Sequence, residues 1–238
     1  SNPMESGLHS TESSLTGLRG AKVDTISTDI TSNNTKEQTI TLNIDTGATG
    51  SFSIPPGVDA AYVAEKANMA FASVGVSAVA QTAVRISLSE VVSGDVQFNL
   101  TSKNQTPVMV SALVSNGNLS GLAEAINQRS GDTGVTAELS LSSSDITLIQ
   151  EDGFDVTIQD IVSELKDISS SPASMTISSL DQAFNPLPLD DDTPPATSKV
   201  FKDDLLFSGT LAFRSGSAFS LVTSADGEFD VQKDAAED

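Results

Sequence analysis

The chain contains no cysteine and no tryptophan, one tyrosine (Tyr62) and one histidine (His9) in 238 residues. Without cysteine there is no disulfide framework and no thiolate nucleophile. A zinc centre, which draws on His and Cys in number, has no donor set. A Ser-His-Asp relay would have to use His9, which sits in a polar Ser/Thr/Gly-rich stretch, so no catalytic residue is assigned. With an aromatic content of 5%, the cores must be thin layers of Val, Ile, Leu, Ala and Phe, and a sugar ring finds little platform to stack on. Cations are scarce as well. Twelve Lys and Arg face 32 Asp and Glu, a net charge of −20, which repels phosphate backbones and anionic membranes and excludes nucleic acid as a partner. No apolar run approaches the roughly 20 residues needed to span a bilayer, and no charged segment leading into an apolar one opens the chain. Neither an enzyme nor a cofactor is expected.

What is present is a repeat. Val63-Ala64-Glu65-Lys66-Ala67-Asn68, followed after a gap by Val74-Gly75-Val76-Ser77-Ala78, aligns on Leu122-Ala123-Glu124-Ala125-Ile126-Asn127 followed by Thr133-Gly134-Val135-Thr136-Ala137. Glycines and asparagines give the same offset, 134 − 75 = 127 − 68 = 59, the mark of one supersecondary unit used twice. In the second copy Leu119, Leu122, Ala123 and Ile126 fall on one helical face, Ser130 to Gly134 stops the helix, and Val135, Ala137, Leu139 and Leu141 alternate with polar residues as in a half-buried strand. Ile146-Thr147-Leu148 and Val156-Thr157-Ile158 predict further strands, separated by the turn Glu151-Asp152-Gly153. In the first copy Ala61, Ala64, Ala67 and Phe71 form the helix face, Gly75 breaks it, Val76 to Ala80 opens a strand, and Val84, Ile86 and Leu88 make another. Ile161 to Leu165 reads as helix-like and Met175 to Ile177 as strand.

The expected fold is therefore α+β and β-rich: tandem small antiparallel sheets, each with one short helix, in an elongated array. Residues 1–37 form a polar N-terminal segment, 38–104 the first unit, 105–168 the second, and 169–238 a C-terminal β segment with a Pro/Asp-rich loop at 186–195. The residues expected to define the repeat are Ala67, Asn68, Gly75, Val76 and Ala78 in one copy and Ile126, Asn127, Gly134, Val135 and Ala137 in the other. Ile126 should be buried, and Asn127 should hydrogen-bond backbone beyond the helix.

The helix ending Ala-Ile-Asn at 125–127, then Thr133-Gly134-Val135-Thr136-Ala137 and an alternating strand, resembles the Ile-Asn motif of the outer, variable part of bacterial flagellins and of some hook-associated proteins. The first copy departs from it at Ala67 and Ser77. Gly209 to Ser215 followed by Ala218 to Leu221 is similar to the strand pair that closes such outer domains. Flagellins polymerise through long terminal helices, and neither end of this chain carries that pattern, so it reads as an outer region alone. The resemblance implies a structural role: a surface-exposed domain of a filament subunit, extracellular on the flagellum, meeting other copies through regions absent from this chain. Absence of cysteine suits export in an unfolded state. The alternative is an adhesin or hook-associated module that grips a host receptor or glycan.

Two acidic clusters are the candidate metal sites. Asp190-Asp191-Asp192 and Asp203-Asp204 lack the alternating loop of a dedicated calcium site, so a solvated acidic loop is the expectation and no metal is assigned.

Overall fold

A computed structural model describes residues 13–15, 33, 35–187 and 205–224. In chain order the elements are β1 (Ser13–Leu15), β2 (Gln38–Ile44), β3 (Thr49–Ile54), α1 (Ala60–Phe71), β4 (Val76–Leu88), β5 (Gly94–Thr101), β6 (Val108–Val114), α2 (Ser120–Gln128), α3 (Ser130–Thr133), β7 (Val135–Leu139), β8 (Asp145–Gln150), β9 (Val156–Ser163), β10 (Met175–Leu180), β11 (Pro186–Leu187), β12 (Leu205–Phe207), β13 (Thr210–Ser215) and β14 (Phe219–Thr223); a 3₁₀ turn, Ala72–Val74, follows α1. The fold is α+β and β-rich, with short helices on antiparallel sheets.

The helices hold corresponding places, α1 between β3 and β4 and α2 between β6 and β7. Each follows a hairpin, β2–β3 or β5–β6. One sheet runs β14-β2-β3, a second runs β12-β9-β5-β6, and the third has seven strands. Its axis is β4, whose thirteen residues span about 43 Å at roughly 3.3 Å per residue. Val76, Ala78, Ala80, Thr82, Val84, Ile86 and Leu88 share one face and all seven are buried; on the other face Ala83 is buried as well. Two expected strands are therefore one, held straight by pairing with β13 along its first half and with β8 and β10 along its second. In the second copy Ser140 to Ser144 turns the chain, with Ser143 at φ 62°, so β7 and β8 form a hairpin. Leu141, expected to point inward, lies in that turn fully exposed.

Two hydrophobic cores result. The first gathers β2, α1, the front half of β4 and β13, with Phe71 set edge-on to Phe52 at 5.4 Å and near Phe213 at 6.4 Å. The second gathers the back half of β4 with β5 to β10, β12 and α2. Residues 76–81 of β4 pair with β13, while 82–88 lie between β8 and β10.

The C-terminal strands return to all three sheets. β12 joins β9, β13 joins β4, and β14 joins β2. The strands β13 and β14, expected as a mutual pair, enter different sheets because each finds an open edge elsewhere. The helix-like stretch Ile161 to Leu165 is also corrected. Ile161 to Ser163 closes β9, and Gln97↔Val162 pairing with β5 overrides the local pattern after a bulge at Asp160, φ 53°.

Candidate functional site

The repeated residues converge on one device built twice. In α1, Val63, Ala67 and Phe71 are fully buried, and that places Asn68 beside the incoming strand. Its Nδ2 donates to Ala78 O at 2.9 Å, and its Oδ1 accepts from Ala78 N at 2.7 Å. In α2, Ile126 is 0% exposed, and Asn127 does the same to Ala137, Nδ2 to O at 2.9 Å and N to Oδ1 at 2.8 Å. Ala78 and Ala137 are each ten residues beyond their asparagine, on strand edges at which no neighbouring strand is paired among the described residues. A carboxamide has the donor-acceptor layout of a peptide group. Each asparagine thus stands in for the missing neighbour and satisfies backbone groups that would otherwise lack a partner.

Gly75 and Gly134 make the approach possible. At φ 75° and 72° they take the left-handed conformation that ends the helix and redirects the chain within seven residues of the asparagine. Val76 and Val135, next in line, are buried at 3% and 0%. The second copy adds a latch that the sequence comparison missed. Thr133 is buried, donates Oγ1 to Arg129 O at 3.1 Å and accepts from Val135 N at 3.0 Å, spanning the glycine. Val74 holds this place in the first copy.

A second polar feature joins the two cores. Asp59 caps α1, its Oδ1 accepting from Tyr62 N at 2.9 Å. The N–H of Ala61 in the same turn donates to Gly153 O at 3.0 Å, and Thr82 Oγ1 donates to Phe154 O at 2.7 Å, so the turn after β8 is tied to α1 and to β4. Gly153 has φ 83°, and a Cβ there would stand 2.4 Å from Ala80 Cβ. Beside it Asp155 accepts through Oδ2 from Asn33 Nδ2 at 2.9 Å; the same amide group donates to Val58 O at 2.8 Å. Burial pushes the Asp155 carboxyl up to about 7, against the hydrogen bond from Asn33 and with some help from the Asp59 charge. Burial also raises Asp59, against the Tyr62 amide. Asp155 Oδ1 and Ser208 Oγ are sealed from solvent and neither reaches hydrogen-bond geometry, although Ser208 is near enough to favour the charged carboxyl.

A cleft of about 350 Å³ lies over the seven-stranded sheet, lined by Arg85, Glu138, Leu139, Ser140, Asp145 and Thr147, with Arg85 Nη2 held by Phe184 O at 3.2 Å. It contains no paired nucleophile and base. Among the described residues no three His, Asp or Glu side chains converge as metal ligands, and no helix is long and apolar enough to cross a membrane. His9, Asp190 to Asp192, and Asp203 with Asp204 lie outside the described residues.

No protein-family model matches the chain, and no curated protein does. Solved structures similar to part of it include the flagellar cap protein FliD from Helicobacter pylori, at 8% identity and a TM-score of 0.26, covering 63% of this chain and 57% of that one. The D1-D2-D3 domains of the flagellar cap protein FliD from Escherichia coli overlap it at 11% identity and a TM-score of 0.24, covering 94% of this chain and 57% of that one. The chain thus spans a little over half the length of either structure.

Proposed function

We propose that the chain is a structural, surface-exposed domain of a flagellum-associated subunit, of the kind found in the outer region of flagellins, with no catalytic task. One observation carries this reading: the same asparagine clamp, helix and left-handed glycine recur 59 residues apart, spending the most specific polar contacts of both units on holding backbone. A module that uses its distinctive side chains to finish its own sheet edges is suited to presenting a durable face. The net charge of −20 keeps such a face soluble and spaced from its neighbours. Other copies of the subunit are met through regions outside this chain, and the location is extracellular.

The test is antibody labelling of the source bacterium against residues 38–224, together with in-frame deletion of that region. Labelled flagella, and filaments that still assemble after deletion, are the expected result. Label confined to the cell interior overturns the proposal, and a saturable hit on a glycan array transfers it to the adhesin reading.

A further inference from the structure

Four stretches distant in sequence meet the turn that carries Asp155. They are the start of α1 with Asp59, the middle of β4 with Thr82, the link between β12 and β13 with Ser208, and a strap through Asn33 and Thr35 that precedes β2. β12 and β13 belong to different sheets, and Thr82 lies between Ala80 of one core and Val84 of the other. Asp155 therefore stands at the joint between the two cores.

Three of these walls are anchored by apolar burial: Ala60 and Val63 beside Asp59, Ala80 and Val84 on either side of Thr82, and Phe207 and Leu211 around Ser208. The strap is not. Its described residues are Asn33, Thr35, Lys36 and Glu37, and what holds it is polar. Asn33 Nδ2 donates to Val58 O and to Asp155 Oδ2, Gly57 N donates to Thr35 O at 2.9 Å, and Thr35 N turns in on Asn33 Oδ1 at 2.9 Å. In the closed joint Thr35 Oγ1, Asp155 Oδ1 and Ser208 Oγ are sealed from solvent, none of them in hydrogen-bond geometry. Each such atom costs free energy that contact with water would return, so the weakest wall is closed over groups that favour its opening.

Ionisation of Asp155 adds to that cost. A protonated carboxyl carries a donor that Ser208 Oγ can accept, whereas the carboxylate is a buried charge without a cation beside it. Asp59 on α1 repels it. Glu151 and Asp152 in its own turn, Lys36 and Glu37 on the strap, and Arg214 on β13 are exposed, and Arg85 of β4 lies in the cleft on the opposite face of the sheet. The Asn33 amide favours the charged form, but burial outweighs it, and the group titrates at about 7.

We propose that the strap through Asn33 and Thr35 is a pH-released latch: it closes the joint while Asp155 is protonated and lifts, admitting water to the carboxylate, once Asp155 ionises, with both cores still folded. This goes beyond the flagellar reading and does not depend on it. The sign follows from linkage. An acid whose pKa is raised in the closed form and ordinary in the open one, about 3.9, favours opening as pH rises between the two values, roughly tenfold per pH unit, and the effect levels off above the higher value. From pH 5 to pH 8 the opening constant should grow by about a hundredfold.

The experiment follows hydrogen exchange of the whole chain, amide by amide, from pH 5 to pH 8, each rate divided by that of an unstructured amide at the same pH. The amides of Thr35 and Gly57 report the latch, and those of Val84 and Ile86, paired within the seven-stranded sheet, report the cores. Protection of Thr35 and Gly57 should fall by about a hundredfold over this range, while Val84 and Ile86 stay at least about tenfold better protected at pH 8. Asp155→Asn cannot ionise and should hold the latch amides constant with pH. Asp59→Asn keeps a capping side chain and removes the repelling charge, so the response should level off at a lower pH. Latch amides without a pH response, exchanging in step with Val84 and Ile86 at every pH, or keeping their response in Asp155→Asn would each overturn the proposal.

Discussion

Replacing Asn127 tests the clamp, and the structure sets the size of the effect. Asn127→Ala removes two hydrogen bonds to Ala137, at 2.9 and 2.8 Å, on a strand edge where no other protein group takes over. At about 0.5–1.5 kcal/mol each, the loss is about 1–3 kcal/mol. For a chain of this size about 2 kcal/mol corresponds to a fall in Tm of roughly 4–8 °C. Asn127→Asp is the sharper variant. It keeps the shape and the acceptor for Ala137 N, but at neutral pH sets a carboxylate oxygen against Ala137 O where an N–H stood. It should therefore be less stable than Asn127→Ala at pH 7 and recover toward pH 3, where the protonated carboxyl can donate. The sign follows from linkage: a carboxyl disfavoured in its charged form has a raised native pKa, so stability is present at low pH and lost as pH rises. Urea denaturation and calorimetry across pH 3–8 measure it. Since Asn68 and Asn127 serve separate cores, losses in Asn68→Ala and Asn127→Ala should add to within about 0.5 kcal/mol. An Asn127→Asp protein as stable as its parent at pH 7 would refute the clamp.

Ile126→Ala, at a fully buried position, should cost about 2–4 kcal/mol in a denaturant titration by leaving a cavity in the second core. Asp155→Asn keeps an acceptor for Asn33 and removes a carboxyl whose pKa is raised to about 7. A raised acid pKa means the parent loses stability as pH climbs from about 4 to about 7, by up to about 4 kcal/mol. The difference between variant and parent should grow over that window and level off above it, with the variant the more stable at pH 8; parallel profiles would contradict the burial of the carboxyl. Gly153→Ala places a Cβ 2.4 Å from Ala80 Cβ at a positive φ and should cost about 1–3 kcal/mol or more, read as a lowered Tm.

The local parts of this fold could be read from residues alone, because helical spacing, a glycine stop and alternating strands need only a dozen neighbours to express themselves. That is why α1, α2, Gly75, Gly134 and the strands beginning at Val76 and Val135 appear in both descriptions. What escaped was decided by distant partners. Whether Val76 to Leu88 is one strand or two turns on a pair of edges supplied by β13 and β8, and the destinations of β13 and β14 depend on strands more than a hundred residues earlier. Ile161 to Ser163 carries a pattern open to helix or strand, and pairing with β5 settles it. Asp155 gave no sign at all. In sequence it is one more acid after a turn, and only the fold brings Asn33, 122 residues away, against it. The asparagines were visible as a repeated letter, but their bonding to a strand edge ten residues on required the helix and strand to be placed.

The uninterrupted run of β4 has a mechanical consequence. A rod held along its front half by β13 and along its back half by β8 and β10 cannot be drawn out of one core without sliding in the other. Tension along its axis loads many hydrogen bonds at once in shear, whereas a pull across it would open them singly. Its two halves are thus obliged to let go together, and the amides of Val79 and Ile86, on its front and back halves, should exchange with solvent only through one common opening. A tug at either end of the strand is thereby a load borne by both cores.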